Sequence, residues 1–409
     1  MGEMAFIDLD DQSIEQFGAA ELKDLGWEQL MDSYACIMCF RCQEVCPAYE
    51  TGKMLSPAAL EINKRYMLNA AGAVLPDDRL TDFAIPPEAV WACTACGACV
   101  DICPVNNEPM RDILEIRRSL TMMENTFPKQ LESAFRGMER TANPWGVPAS
   151  ERMKWAEGLA VPTIEQNPRP DVLWWVGCAP ATDPRAQKTA RAFAGLLNAA
   201  KVNYAVLGQN ERCTGDSARR AGREDIFFNL AQTNVATLNK IMPQRIVTTC
   251  PHCLHTLKNE YPAFGSDFKV IHHSQLIYEL LATGKLKLTP ARNLVSVTYH
   301  DPCFLGRQNN ILSDPREILR MAGVRMVELP RHGRQSFCCG AGGAQTWKEE
   351  QPGKERINVD RLGESVSKGV ETLVVGCPFC QMALNDAAKA INSPIQVLDL
   401  VELVNLIAP

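Results

Sequence analysis

Two runs constrain this chain more than anything else in it: 36-CIMCFRCQEVCP-47 and 93-CTACGACVDICP-104. Each reads C-x2-C-x2-C-x3-C-P. Eight cysteines with matched spacing, twice over, have almost no purely structural explanation. The chain holds 17 cysteines in all. In a reducing cytoplasm that number argues against a disulfide framework and for metal or redox work. The odd count also fits full pairing poorly.

The spacing is that of two-cluster ferredoxins, in which three thiolates on a tight loop hold one cubane and the fourth belongs to the other. It assigns Cys36, Cys39, Cys42 and Cys103 to one [4Fe–4S] cluster and Cys93, Cys96, Cys99 and Cys46 to a second. Pro47 and Pro104 close each loop and remove a backbone donor. Zinc suits these runs poorly, since a structural zinc takes four ligands in a closed tetrahedron. Gly97 stands where a small residue lets the loop wrap its cluster; the matching residue is Phe40, which predicts better shielding from water at the first cluster. Residues 57–71 and 108–125 read as helices.

The other nine cysteines repeat in tandem. Cys178, Cys213, Cys250 and Cys253 form one set, and Cys303, Cys338, Cys339, Cys377 and Cys380 the other. Cys178 to Cys213 and Cys303 to Cys338 are the same distance apart in sequence, and Cys250-Pro-His-Cys253 matches Cys377-Pro-Phe-Cys380. The stretch 211-ERCTGD-216 lies over 336-SFCCGA-341, so Thr214 stands where the second repeat has Cys339. Apolar runs at 172–177, 245–249, 294–300 and 373–376 precede the cysteines and suit buried parallel strands. Helical stretches such as 186–200 and 379–391 follow them. Cysteines just beyond strand ends sit where open α/β sheets bind ligands. The C-P-x-C pairs open helices, whose positive end favours thiolates.

The resulting division is an acidic arm (1–33), an α-rich two-cluster ferredoxin-like domain (34–125), and a Pro- and Gly-punctuated linker with one short helix near 150–159 (126–170). A degenerate first cysteine-rich repeat (171–290) and a full second one (291–409) complete it. The fold class is α+β: the ferredoxin-like domain followed by two tandem α/β repeats of CCG type. A length of 409 residues accommodates this. No apolar run approaches the roughly 18–20 residues of a membrane span, and the acidic start is not a signal peptide. A cytoplasmic protein is expected, with any membrane role supplied by a partner. The net charge of −6 arises in the arm, where nine acidic side chains face one Lys, and no basic patch for nucleic acid is evident.

The pattern C…C-C-G…C-x-x-C, repeated after a two-cluster segment, resembles the heterodisulfide reductase family of cysteine-rich (CCG-domain) iron–sulfur oxidoreductases, in its D-type form. The resemblance runs from about residue 20 to 409. It implies a noncubane [4Fe–4S] assembly held by Cys303, Cys338, Cys339, Cys377 and Cys380, with zinc or free redox thiols as the alternatives. Gly340, Gly342 and Gly343 would let the backbone bend close to it. With Thr214 in the fifth place, Cys178, Cys213, Cys250 and Cys253 suit a further cluster, a zinc or a vestigial site.

No P-loop or GxGxxG signature is present, so hydride chemistry must come from a partner. The leading expectation is an iron–sulfur electron-transfer subunit working between a flavoprotein and a quinone-linked membrane cytochrome b, held at the inner face of the membrane by that partner. The alternatives are a disulfide reductase acting at Cys338 and Cys339, the iron–sulfur subunit of a glycolate, lactate or glycerol-3-phosphate dehydrogenase, and a metal-held scaffold. His300 could supply a proton, since histidine titrates near neutrality. His252 and His255 read as helix-surface residues, and the pair His272-His273 ends a strand without reading as a ligand.

Overall fold

The computed structural model describes residues 4–72, 74–289 and 296–407. Leu294 and Val295 of the expected strand run, the first residues of the acidic arm and the junction between the repeats lie outside the described residues. The chain forms two compact units that are not continuous in sequence. One comprises Met1–Glu132, Ser217–Phe228 and Gly340–Asp360; the other comprises Ser133–Asp216, Asn229–Cys339 and Arg361–Pro409.

The first unit is helical. The helix Pro57–Ala71 starts where Pro57 presets φ and the Ser56 hydroxyl accepts from the Ala59 N–H at 3.0 Å. The helix Pro109–Met122 runs through the core, burying Ile113, Leu114, Ile116 and Leu120. Lys64 is fully buried between the helices, paired with Glu61 at 2.9 Å and with Asp112. Two segments complete this unit, one shortly after Cys213-Thr214 and one directly after Cys338-Cys339. Thr121 donates to the Ala221 carbonyl at 2.9 Å and Arg118 pairs with Glu224 at 3.1 Å. From the later segment, Gln345 Nε2 donates to the carbonyls of Trp91 (2.8 Å) and Cys93 (2.9 Å).

The second unit is α/β. Strands β1 (Val172–Trp175), β2 (Tyr204–Val206), β3 (Ile246–Thr248) and β4 (Val270–His272) form a parallel sheet in the order β2-β1-β3-β4. Strands β5 (Val297–Tyr299), β6 (Thr372–Val375) and β7 (Gln396–Asp399) form a second parallel sheet, β5-β6-β7. A parallel bridge from Val297 to Met326 stands where β2 lies in the first sheet, so the repeats share one topology. β1 to β6 are buried throughout, which is why their sequences read as short continuous apolar runs. One core spans both repeats, with Trp174 and Phe193 edge-to-face at 5.0 Å and Leu400 and Leu403 from the last helix. Residues 126–170 hold a helix, Leu131–Thr141, and two short 3-10 turns, Ala149–Glu151 and Lys154–Ala156, in place of the single helix expected near 150–159.

Candidate metal centres

The ferredoxin-type loops share one backbone shape. Met38 and Ala95 adopt φ of 55° and 51°, and Phe40 and Gly97 adopt φ of 62° and 73°. Amides turn toward sulfur in both: Met38 N–H donates to Cys36 Sγ at 3.4 Å and Ala95 N–H to Cys93 Sγ at 3.3 Å. Such N–H···S bonds help set a cluster's potential. Cys36, Cys39, Cys42 and Cys103 line one cavity, with Cys99 and Glu61 also on its wall. A second cavity is lined by Cys93, Cys96, Cys99 and Cys46. The second cavity thus collects three thiols from one run and one from the other, and the first collects three from one run and two, Cys99 and Cys103, from the other.

Burial pushes the Cys42 thiol up to about 12 and the Cys46 and Cys99 thiols well above their ordinary value. Neighbouring thiols add to the shift at Cys42 and Cys99. Thiols so placed do not ionise alone near neutrality; a positive metal centre is what would offset their charge. The donor set therefore fits iron–sulfur clusters. One expectation is corrected here. Phe40 does not shield its loop: it is 44% exposed and Cys39 is exposed, whereas Cys46, Cys93, Cys96 and Cys99 are buried.

In the second unit, cysteines gather at the C-terminal ends of strands. Cys178 follows β1, Cys250 follows β3, Cys303 follows β5 and Cys377 follows β6. Cys303, Cys338, Cys339, Cys377 and Cys380 are all buried. Cys339 and Cys380 gather with His300, their ligand atoms within 4.8 Å of one another. Burial alone would raise Cys377, but hydrogen bonds from Cys250 and Cys380 hold it down at about 6. The Cys250–Cys377 contact brings the C-P-x-C pairs of the two repeats together.

His300 is buried and accepts from Arg361 Nε through Nδ1 at 2.9 Å. Burial and the Arg361 charge hold its pKa well below the usual value, so the ring stays neutral. Because Nδ1 accepts, the remaining proton lies on Nε2, which has no hydrogen-bond partner among the described residues. Here the imidazole is a neutral N–H donor rather than a cationic acid.

The first set is built differently. Cys178 and Cys213 share a hydrogen bond that, against burial, lowers Cys178 to about 7, with help from Arg152. Arg152 reaches Cys178 Sγ at 3.6 Å and pairs with buried Glu211, which accepts from the amides of Val176 and Gly177 at 2.8 Å. Thr214 Oγ1 donates to Cys253 Sγ at 3.8 Å. The hydroxyl thus occupies the fifth position as a neighbour of sulfur.

His252 and His255 are buried, contrary to the surface reading. His252 Nδ1 lies 2.9 Å from Asp216, and its ring stacks on Phe304 with centroids 4.0 Å apart. Ser274, His272, His273 and Asp399 form a continuous polar chain in which each step is 2.8–3.1 Å and every member is fully buried. Arg152, Glu211, Asp216 and Arg361 escape sequence reading, because partners brought together by folding carry no spacing signal.

Known proteins share this architecture. Residues 172–258 and 297–385 match the cysteine-rich (CCG) domain, and residues 32–107 match the 4Fe-4S dicluster domain. A polypeptide of the dihydromethanophenazine:CoB–CoM heterodisulfide reductase from Methanosarcina barkeri is 30% identical over 94% of this chain and 96% of its own length. The chain belongs to the cysteine-rich iron–sulfur oxidoreductase family. A protein named "Probable iron-sulfur-binding oxidoreductase FadF" from Bacillus subtilis is 37% identical over 98% of this chain. An "EtfAB:quinone oxidoreductase" from Syntrophomonas wolfei is 36% identical over 96% of it. The chain spans 63% and 60% of the lengths of those two relatives. No helix among the described residues is long and apolar enough to cross a membrane.

Proposed function

We propose that this family member is the iron–sulfur electron-transfer subunit of a membrane-associated oxidoreductase complex, relaying electrons between a flavoprotein and a quinone-linked cytochrome b. The observation that carries the reading is a pair of thiol-lined cavities in one unit and, in the other, cysteine sets gathered near strand ends and buried except at Cys213. Clusters bound there supply one-electron chemistry. Cys36, Cys39, Cys42 and Cys103 would hold one cubane and Cys46, Cys93, Cys96 and Cys99 the other. Cys303, Cys338, Cys339, Cys377 and Cys380 would hold a noncubane cluster or zinc, and Cys178, Cys213, Cys250 and Cys253 a further metal. His300, kept neutral by burial and Arg361, would donate its Nε2 proton as a hydrogen bond toward the Cys339–Cys380 pair. The flavoprotein relation is supported by the relative named for EtfAB and quinone.

A second reading, disulfide reduction at Cys338 and Cys339, is favoured by the heterodisulfide reductase relative, which matches over nearly its full length. The test is iron, sulfide and zinc content of anaerobically purified protein, with electron paramagnetic resonance on the wild type and Cys339→Ser. Two cubanes account for about eight irons. About twelve, with a signal lost in the variant, supports a redox cluster at the second repeat. About eight, with zinc and unchanged spectra, removes that site from the relay. A disulfide that perturbs the Cys339-dependent signal would favour the reductase reading.

A further inference from the structure

The cavity lined by Cys46, Cys93, Cys96 and Cys99 is the more buried of the two. A cluster there carries net negative charge from its four thiolates and takes on more when reduced. In a dry site that charge is costly unless a cation faces it. Arg117 is fully buried on the helix Pro109–Met122 and directs its guanidinium at this loop. It donates to the carbonyl of Cys93 at 2.6 Å, and to that of Val90 at 3.1 Å from Nε and 2.8 Å from Nη2. Nη1 donates to the carbonyls of Arg220 at 2.9 Å and Gly343 at 3.1 Å. The guanidinium also lies 5.1 Å from the Trp91 ring centroid. Among the described residues, every hydrogen bond it makes goes to a backbone carbonyl and none to a carboxylate. Lys64, Arg118 and Lys53, buried cations of the same unit, each have an acidic partner. Burial and the Arg117 charge push the Lys348 amine down to about 8, so the charge is felt by its neighbours.

We propose that Arg117 is the resident counter-charge of the second thiolate set and keeps a cluster held by Cys46, Cys93, Cys96 and Cys99 reducible. An arginine cannot shed its charge in this range, so the field is permanent. The first cavity has buried Glu61 on its wall instead. The inference rests on cubanes occupying the two cavities.

The experiment is a dithionite titration of the full chain followed by electron paramagnetic resonance, on wild type, Arg117→Gln and Arg117→Lys. Each step passes one electron from dithionite, which ends as sulfite, to one cluster. Cys39→Ser and Cys96→Ser assign the two signals. At the wild-type midpoint of the second cluster, Arg117→Gln is expected to lower the reduced-to-oxidised ratio at least tenfold, a shift of about 59 mV for one electron. The first cluster is expected to stay in place, and Arg117→Lys to remain within about threefold of wild type. An Arg117→Gln protein with full iron and an unmoved midpoint would overturn the proposal, as would equal shifts of both clusters. If Arg117→Gln does not fold, Arg117→Lys decides: a tenfold loss there, with the charge retained, overturns it. Wild-type protein without cubane iron would instead fail the cluster reading itself, and iron analysis separates that case.

Discussion

Gly343 offers a quantitative test of how the later segment of the first unit is built. Its φ is +62°, and a Cβ placed on it would lie 2.7 Å from the Cys93 carbonyl oxygen, 2.8 Å from the Thr94 carbonyl carbon and 3.1 Å from the Ala95 nitrogen. Gly343→Ala therefore meets two costs. The left-handed backbone costs about 1–2 kcal/mol for a residue with a Cβ. Driving a methyl into backbone that is itself held by Arg117 and Gln345 adds about 1–3 kcal/mol. Gly340 is the internal control. Its φ is +87°, but its added Cβ would meet side-chain atoms of Ile357 at 3.2 and 3.3 Å, which can shift. Gly340→Ala should therefore show mainly the conformational cost. We expect Gly343→Ala to lower stability by about 2–5 kcal/mol in all. With a urea dependence of about 3 kcal/mol per molar, a loss near 3 kcal/mol moves the midpoint down by about 1 M. Urea unfolding read by visible iron–sulfur absorbance and by circular dichroism measures it. Equal midpoints for the two variants, with equal iron content, would refute the claim that the glycine is pressed against the Cys93–Ala95 loop.

Two further outcomes follow from buried charge. Lys64→Met leaves Glu61 and Asp112 buried without their cation, and loss of one partner of such a group costs about 3–5 kcal/mol; adding Asp112→Asn should recover part of it in thermal melts. Burial raises the Asp399 carboxyl from its usual 3.8 to about 7. Between about pH 4 and pH 7 the folded state then holds a proton that the unfolded state has released, so this group makes stability fall as pH rises and ceases to do so above about 7. Asp399→Asn should flatten that slope in urea midpoints measured across the range.

Much of the candidate site is legible in the sequence because its spacing is local. A C-x2-C-x2-C loop is shaped by consecutive backbone angles, and the two loops reproduce those angles closely despite Phe40 and Gly97 at matching places. The tandem repeat is legible for a related reason: buried parallel strands require continuous apolar runs, and cysteines directly after them fall at strand ends. Short strands were harder. β2 and β7 have no cysteine directly after them to mark their ends, and β7 is only half-buried, so neither stands out from the helices around it.

Cysteine count, spacing and repeat thus determined the candidate ligand sets, the α/β character of the repeats and the odd place of Thr214. Tertiary structure alone decided what surrounds the thiols. It put segments from both repeats into the helical unit, set Arg117 against the Cys93 carbonyl and Arg361 against His300, and buried His252 with Asp216. It also left the Cys39 thiol exposed where Phe40 had suggested shelter. The reason is physical. Ligand geometry is written in neighbouring residues, whereas solvation and charge depend on groups far apart in sequence that meet only when the chain packs, and these control how readily a cluster accepts an electron.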